Sequence, residues 1–222
     1  MARRVVDLTL PIRSGMARFP TYWHPDVEVG LLGRIESEGR ETRRLVLGTH
    51  SGTHCDAPRH FLPGGAGVDA LDLATLIGPA RVLNLSHRAP GGCVEDEELR
   101  AALGGRVPER LALRYDWSLR WESEAYYRDH PYLSRQAARW LVEGGLKLLA
   151  MDSPTPDNPA DGRNAPEDSP VHKILLGAGV ILVEYLDNLA AVGRPEIQLI
   201  VLPLKIEGAD GSPCRVVALE ED

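Results

Sequence analysis

The sequence predicts a single α/β or α+β domain built on a mixed β-sheet, and three observations support that fold class. The chain has 222 residues, of which 43% are hydrophobic and 26% charged, a balance typical of a globular domain with a sizeable core. Apolar runs of strand length outnumber helical segments and do not alternate regularly with them, which argues against a doubly wound nucleotide-binding fold. No linker or repeat divides the chain, so we expect residues 1–222 to form one domain.

The predicted strands are short apolar runs, and residues 180–184 and 197–206 are the most strongly β-biased of them. The sequence Gly-Ala-Asp-Gly at positions 208–211 is a turn signal and separates the last two strands. The predicted strands are residues 5–10, 44–50, 81–86, 110–114, 146–151, 180–184, 197–206 and 214–219.

The predicted helices are few, and a serine marks the start of two of them. Serine is a preferred N-cap, and in one case a proline follows it at the first helical position. Glycines end both segments, as expected just past a helix C-terminus. The predicted helices are residues 135–143 after Ser134, residues 170–176 after Ser169, and residues 95–103. Residues 152–168 contain four prolines, which exclude a helix and predict a long surface loop.

Composition excludes several classes of protein. The net charge is −7 and no cluster of Lys and Arg forms a basic face, so we expect no nucleic-acid partner. No apolar run approaches the ~20 residues of a membrane span, and none of signal-peptide length follows Arg3 and Arg4. Three cysteines far apart in sequence are no disulfide framework. We therefore expect a cytoplasmic protein without a membrane partner.

One short segment concentrates side chains that bind metals. Three of the seven histidines and one aspartate lie within the eleven residues 50–60. His54 and Asp56 point to the same side of extended backbone, and His50 and His60 converge with them if the chain bends at the glycine and proline between. Imidazole nitrogens and carboxylate oxygens suit Zn²⁺, Mn²⁺ or Fe²⁺. The segment therefore predicts a metal site, against the alternative that these are surface histidines of a loop.

Three further residues have open interpretations on the sequence alone. Cys55 is a ligand, a nucleophile or a packing residue, and its position between His54 and Asp56 points it to the opposite face and favours packing. Glu184 lies in an apolar run where a buried carboxylate needs a cation, which an arginine or a metal could supply. His172 is either a surface residue of a helical first turn or a ligand. His24 and His130, each followed by proline, are interpreted as loop residues.

The histidine segment resembles the cyclase family of metal-dependent hydrolases, which includes bacterial kynurenine formamidases. The signature of that family is His-x-Gly-Thr-His-x-Asp-x-Pro-x-His-Phe, and residues 50–61 match it without a mismatch. The resemblance extends to the Asp-Leu-Thr at positions 7–9, to residues 148–154 and to the Leu-Pro-Leu-Lys at 202–205. It implies an α/β fold with a mixed, barrel-like sheet and a few helices, assembled as a dimer or tetramer.

The resemblance also implies a site with two divalent metal ions, Zn²⁺ in the first place and Mn²⁺ as the alternative. In this family pattern one ion is held by His50, His54 and Asp56. Asp56 bridges to the second ion, which a histidine and a glutamate twelve residues later also hold, and His172 and Glu184 have that spacing. His60 takes the role of general acid and base. The implied reaction is hydrolysis of a small amide by a metal-activated water.

The sequence departs from the kynurenine formamidases where the substrate would bind. Their Trp-Pro pair near the N-terminus corresponds to Phe19 and Pro20, followed by Trp23, so Phe19 and Trp23 are the expected substrate-binding residues. The loop over residues 157–167 shows Asp-Gly-Arg at 161–163 in place of their Ser-Lys pattern. The leading expectation is a small aryl formamide substrate. Cyclic amides such as isatin, imides and lactones remain alternatives, as do a non-catalytic ligand-binding protein and a hydrolase that uses Cys55.

Overall fold

The architecture is a closed ring of strands covered by helices, seen in a computed structural model that describes residues 3–221 and the side chains of residues 4–220. Within these residues the chain forms, in order, β1 Arg3–Asp7, β2 Glu28–Gly33, α1 Ile35–Glu38, β3 Thr42–Val46, β4 His54–Asp56, α2 Leu73–Leu76, β5 Ile77–Asn84, β6 Cys93–Val94, α3 Asp96–Ala102, β7 Arg110–Arg114, α4 Glu124–Arg128, β8 Tyr132–Leu133, α5 Arg135–Glu143, β9 Leu148–Met151, α6 Pro170–Gly177, β10 Ile181–Glu184, β11 Glu196–Pro203 and β12 Gly211–Glu221.

Seven strands close the main sheet in the order β12–β11–β5–β7–β9–β10–β4, and β4 pairs again with β12. The strands β5, β7, β9 and β10 are parallel to one another, and the remaining pairings of the ring are antiparallel. Closure is possible because β12 is eleven residues long: its first three residues pair with β4, and β1 pairs with its far end. The α/β class and the mixed, barrel-like sheet implied by the resemblance are confirmed.

Strand alternation divides the core into an inner and an outer layer. Alternate residues of one strand face opposite sides of a sheet, so Ala150 and Val183 pack inside the ring with Cys55. Leu149 and Leu182 face outward and pack beneath α3, α5 and α6. The inner layer contains many alanines and valines, which suits the narrow interior of a seven-stranded ring. The outer layer, between sheet and helices, is where the functional side chains emerge.

Most predicted strands are present, although several bounds differ. The strand predicted over 44–50 is β3 and ends at Val46, because residues 49–53 form turns and bends. The first strand ends at Asp7 rather than at position 10, and only Thr9 continues the pairing as an isolated bridge to Leu186. The strand predicted from position 214 begins at Gly211. The hairpin of β2 and β3 and the pair β6–β8 were not predicted as pairs.

The predicted helices are also present, but one cap and one loop need correction. Ser134 caps α5 as expected, since its side chain accepts from Ala137 N. Ser169 adopts a left-handed backbone with φ of 47° and its side chain makes no capping bond to α6. The loop over 152–168 lacks a helix, but its first six residues, 152–157, are almost all buried rather than at the surface. No helix among residues 3–221 has the length and apolar character that crossing a membrane requires.

Candidate metal centre

The centre forms on the outer face of the ring where β4 and β10 pair. His54 lies directly opposite Glu184 in this antiparallel pair, so both side chains emerge on the same face. Asp56 follows His54 by two positions and shares that face, whereas Cys55 between them points into the ring interior. Burial is nearly complete for this group, with Asp56 at 0% exposure and Glu184 at 4%.

Helix α6 brings His172 onto the same carboxylates. Its Nε2 lies 3.2 Å from Glu184 Oε1 and 3.4 Å from Asp56 Oδ2. The other ring nitrogen, Nδ1, lies 2.5 Å from Asp157 Oδ2, which fixes the orientation of the ring. Asp157 also accepts from the backbone N–H groups of Val171 and His172, at 2.6 and 3.1 Å. Asp157 therefore caps α6 in the place predicted for Ser169.

The bends predicted in the histidine segment occur and bring His50 and His60 together. Gly52 has φ of 62°, and a Cβ there would lie 3.0 Å from Met16 Cε. His50 Nδ1 then approaches Asp56 Oδ1 to 2.8 Å, and the rings of His50 and His60 lie 4.0 Å apart. Thr53 in the same segment is structural: its side chain donates to Tyr185 O.

Asp210 is a member of the centre that the sequence analysis missed. Its Oδ2 lies 2.8 Å from His50 Nε2 and 3.1 Å from His60 Nδ1. These two contacts hold the pKa of the Asp210 carboxyl well below its usual range. Gly211 permits the approach, since a Cβ there would lie 2.9 Å from the His50 ring. The segment containing Asp210 gave only a turn signal, and nothing in the spacing connected it to residues 150 positions away.

The buried carboxylates have the property expected of a cation site, which is charged oxygens without hydrogen-bond donors. Both oxygens of Asp56 and Oε1 of Glu184 are buried without a hydrogen-bond partner among residues 3–221. Histidine nitrogens lie close to them, for example His54 Nε2 at 3.3 Å from Asp56 Oδ1, yet none has donor geometry toward these oxygens. Uncompensated buried charge is costly, so oxygens and imidazole nitrogens that converge in this way fit shared divalent cations.

The pKa shifts of the buried groups also indicate that the two carboxylates need positive charge beside them. Burial raises the pKa of Asp56, but the charges of His50 and His60 outweigh it and leave the pKa well below the usual value. The pKa of Glu184 is raised, first by burial and then by the charge of Asp56. The pKa of His50 is raised to about 10: burial lowers it, and the charges of Asp56 and Asp210 more than offset that effect. Asp56 and Glu184 thus depend on the same group of histidines for compensating positive charge.

All six residues predicted for the metal site and its chemistry lie close together, and their donor atoms form two compact groups that share Asp56. One group of donor atoms within 4.8 Å of one another joins His54, Asp56 and Glu184. The other joins His50 and Asp56 with His60, so His60 lies within reach of the same cation as these two. The geometry therefore offers His60 both as a ligand and as a proton-transfer group.

The predicted substrate-binding residues line a cavity of about 290 Å³ above the centre. Phe19 is partly buried in its wall and Trp23 is 49% exposed. His24 lies in a loop as predicted, and it also lines this cavity, 5.9 Å from the His50 ring. Burial lowers the pKa of His24 to about 4. His130 also lies in a loop as predicted, but it is 1% exposed and bonded to Asp157 O.

The environment of Cys55 argues against thiol chemistry. The side chain is fully buried in the ring interior, on the opposite face from the histidines. Burial, followed by the charge of Asp56, raises the pKa of the Cys55 thiol to about 12. A nucleophilic cysteine needs a lowered pKa and access to substrate, so the interpretation of Cys55 as a packing residue agrees better with the structure.

Comparisons with known proteins point to one group. A family model described as "Putative cyclase" matches residues 6–158. A kynurenine formamidase of Bacillus cereus is 33% identical over 214 residues, covering 96% of this chain and 95% of that protein. Another, of Salinibacter ruber, is 35% identical over 173 residues, or 78% of this chain and 77% of that protein.

Solved structures show the same fold. An isatin hydrolase bound to the product analogue thioisatinate superposes with a TM-score of 0.86 at 26% identity, covering 99% of this chain and 93% of that one. A structure described as a potential metal-dependent hydrolase with cyclase activity gives 0.79 at 27% identity and covers both chains completely.

Proposed function

Because the chain belongs to the putative cyclase family, we propose that it is a metal-dependent hydrolase that cleaves the carbon–nitrogen bond of a small aryl formamide. The observation that carries the proposal is a pair of buried carboxylates, Asp56 and Glu184. Both oxygens of Asp56 and Oε1 of Glu184 lack hydrogen-bond donors among residues 3–221, although histidine nitrogens lie close to them. The similarity to proteins named kynurenine formamidase supports the formamide as the substrate class.

In the proposed site His50, His54 and Asp56 would hold one divalent ion, and Asp56, His172 and Glu184 would hold a second. Asp56 can serve both because its Oδ1 faces His50 and His54 while its Oδ2 faces His172. Nitrogen and oxygen donors without a thiolate favour Zn²⁺ and allow Mn²⁺. Such ions supply Lewis acidity, which polarises a carbonyl and lowers the pKa of a water molecule.

His60 is the proposed proton-transfer residue. Its Nδ1 bonds to the Asp210 carboxylate at 3.1 Å, which holds the ring in one orientation and leaves Nε2 to exchange a proton. The ring lines the cavity beside the carboxylates, within reach of a departing aniline nitrogen. His60 thereby protonates the leaving group, and Asp210 positions it.

The cavity walls suit an aryl group. Phe19, Trp23, Phe61 and Tyr185 line the space above the carboxylates, and aromatic faces pack against a ring in stacked or edge-on geometry. A volume of about 290 Å³ lies at the small end of the range for ligand pockets, which suits a substrate of one or two rings. A small-molecule substrate is therefore proposed, and no macromolecular one.

Ring opening of a cyclic amide is the second candidate function. Its specific support is the structural similarity to isatin hydrolases, at TM-scores of 0.84 to 0.86. The same donor set serves both reactions, because each begins with attack of water on an amide carbonyl. The two reactions differ in the shape of the substrate that must fit against the aromatic walls of the cavity. Assays with aryl formamides and with cyclic amides therefore separate the two functions.

The test is metal content and turnover measured on one preparation. We expect two ions per chain by elemental analysis, with hydrolysis of an ortho-acyl formanilide that a chelator abolishes and added Zn²⁺ or Mn²⁺ restores. Isatin is assayed in parallel. Turnover of isatin alone would replace the formamide by the cyclic amide. Protein that binds no metal, even when Zn²⁺ or Mn²⁺ is supplied, would overturn the proposal.

A further inference from the structure

The backbone leaves the extended conformation at Tyr185, directly after the buried carboxylate of Glu184. Tyr185 has φ of 57°, in the left-handed region that glycine and asparagine adopt most readily. Four other non-glycine residues among 3–221 have positive φ, and all four are polar: Asp116, Glu122, Ser169 and Asn188. For a bulky aromatic residue this conformation is unfavourable, so it persists only where the surrounding structure holds it.

The left-handed conformation moves the Tyr185 side chain to the other face of the sheet. In β10, Val183 faces the interior of the closed sheet and Glu184 faces outward. An extended continuation of β10 would place residue 185 on the inner face with Val183. Instead the Tyr185 side chain is 3% exposed and lies in the outer layer, with Leu182. The strained backbone thus puts an aromatic ring on the same face as the metal-binding side chains.

Hydrogen bonds from two other segments hold Tyr185 in this conformation. The Thr53 hydroxyl donates to Tyr185 O at 2.6 Å and accepts from Leu10 N at 2.9 Å. Tyr185 N donates to Ser153 O at 3.2 Å. Both backbone polar groups of this buried residue are therefore bonded, and breaking either bond would leave an unsatisfied group. Because Thr53 immediately precedes His54, the segment that carries this histidine also holds the strained residue.

The Tyr185 ring packs against the imidazole of His54. The two ring centres lie 5.5 Å apart at an angle of 48°. The rings of Tyr126 and Tyr127 lie 5.4 and 6.4 Å from that of Tyr185 and support it. His54 Nδ1 lies 2.8 Å from Gly52 O, which leaves Nε2 to the buried carboxylates. The bond to Gly52 fixes one point of the imidazole, and the tyrosine ring restricts its rotation about that point.

We propose that Tyr185 is a positioning residue for the imidazole of His54, and that the Thr53 hydroxyl holds Tyr185 in place for this role. The inference rests on the proposed function in taking His54 as a metal ligand. Small changes in the orientation of a ligand alter the coordination of the cation and the placement of the substrate carbonyl. Besides forming part of the cavity wall, Tyr185 therefore contributes to turnover through His54.

The first test is made on metal-free protein by NMR. Histidines labelled with ¹³C at Cε1 give one signal per imidazole, an adjacent aromatic ring shifts that signal, and His54→Gln identifies the signal of His54. We expect Tyr185→Leu to move the His54 signal, whereas Tyr185→Phe keeps the aromatic ring and should keep the shift. The His87 signal is the internal reference, since that side chain is 67% exposed. An unmoved His54 signal in Tyr185→Leu would overturn the proposal.

The second test uses Co²⁺, which accepts the same nitrogen and oxygen ligands as Zn²⁺ and whose visible absorption depends on its coordination geometry. Thr53→Val keeps about the same size of side chain and removes the hydroxyl. We expect this variant to bind Co²⁺ with an altered spectrum, and to lower kcat about ten- to hundred-fold with little change in KM. Thr53→Ser retains the hydroxyl and should restore the spectrum and kcat. An unaltered spectrum in Thr53→Val would overturn the role of Thr53.

Tyr115→Leu is the matched control for the loss of a buried tyrosine. Tyr115 is 5% exposed in the same outer layer, and its ring packs on no histidine among residues 3–221. This variant should lose stability but keep the His54 signal and the Co²⁺ spectrum. Equal changes in Tyr115→Leu and Tyr185→Leu would mean that losing any buried ring disturbs the centre, and would overturn the positioning role.

The two tests also separate this inference from the proposed function. Protein that binds neither Co²⁺ nor Zn²⁺ would contradict the proposed function, while the NMR comparison on metal-free protein still decides whether Tyr185 orients His54. If Tyr185→Leu does not fold, Thr53→Val takes its place in the NMR measurement, and an unmoved His54 signal in that variant would overturn the proposal.

Discussion

Asp56 is the central side chain of the candidate metal centre, because its two oxygens face different histidines. Oδ1 lies near His50 and His54, and Oδ2 lies 3.4 Å from His172 Nε2. The residue is fully buried between two strands, so neither oxygen can be compensated by solvent.

Replacing Asp56 by Asn should therefore remove both proposed metal ions together. The amide is isosteric but neutral, and it can no longer neutralise two cations. Elemental analysis of Asp56→Asn should find less than about one tenth of the metal of the unaltered protein. Asp26→Asn, a change to an exposed carboxylate paired with Arg18, is the control and should keep full metal content. Two ions per chain in Asp56→Asn would show that Asp56 does not bridge them.

His60 has two possible roles in the geometry, and one variant separates them. As a proton-transfer residue its loss should cost about 10²- to 10⁴-fold in kcat and leave the metal content unchanged. As a ligand its loss should also lower the metal content, since His60 lies within 4.8 Å of the donor atoms of His50 and Asp56. Metal analysis and kcat of His60→Ala, measured on the same sample, distinguish the two roles. We expect full metal content with low turnover.

At the scale of elements, the start of α6 is where local signals and the structure differ most. The Ser-Pro sequence is a strong start signal and it places the helix correctly. The capping group, however, is Asp157, thirteen residues before the helix, which bonds two of its N–H groups and also the His172 ring. The cap and the orientation of a candidate ligand therefore depend on one carboxylate.

If Asp157 rather than Ser169 caps α6, two substitutions at the start of this helix should differ strongly in their effect on stability. Ser169→Ala should change the free energy of unfolding by less than about 0.5 kcal/mol, because the hydroxyl caps nothing. Asp157→Asn should cost about 2 kcal/mol and weaken metal binding about 10- to 100-fold, since His172 loses its anionic partner. Urea unfolding and metal titration measure the two effects. Equal stabilities of the two variants would contradict the assignment.

The buried segment that contains Asp157 depends in turn on His130. His130 Nε2 lies 3.0 Å from Asp157 O, and burial lowers the pKa of His130 to about 4. In the unfolded chain the pKa is near 6.5, so between pH 6.5 and pH 4 the unfolded state binds the additional proton. The stability contributed by the neutral ring is therefore present above pH 6.5 and is lost as the pH falls toward 4.

We expect His130→Gln to reduce this dependence on pH. At pH 5 the linkage amounts to about 2 kcal/mol in the unaltered chain, and glutamine has no proton to bind in this range. Denaturant unfolding at pH 7.5 and pH 5 should show a smaller loss in the variant. His87→Gln is the control, because His87 is largely exposed. The same loss in the two variants would mean that His130 is not the group responsible.

At the scale of the whole molecule, the hairpin of β2 and β3 stands apart from the closed ring. The two strands pair with each other and belong to a separate two-stranded sheet. Leu32, Ile35 and Leu45 on and beside it are 64%, 65% and 57% exposed, which is unusual for side chains of this size. A homo-oligomer, the dimer or tetramer expected from the resemblance, would give this surface a partner.

We expect light scattering to give a mass of two or four chains of 24.3 kDa for the unaltered protein. The double substitution Leu32→Ser with Leu45→Ser should shift the mass toward one chain, because it removes apolar surface that a contact between copies would bury. Leu119→Ser, at another site that is 82% exposed, is the control. A monomer at all concentrations would contradict the expectation.

The sequence by itself determined the local chemistry of this protein. Alternation along a strand placed His54 and Asp56 on one face and Cys55 on the other, and the glycine and proline positions predicted the bends that bring in His50 and His60. These features depend only on neighbouring residues, and the structure shows the same face and the same bends.

Only the tertiary structure decided which distant segments complete the site. Asp210 and Asp157 lie in a turn and a loop whose sequences indicate irregular backbone and nothing about which distant residues these side chains contact. Asp210 reaches His50 because β12 closes the ring by pairing with β4, and Asp157 reaches His172 because its segment is buried beneath α6. Closure and burial are set by the packing of the whole chain, so no local pattern could have predicted these contacts.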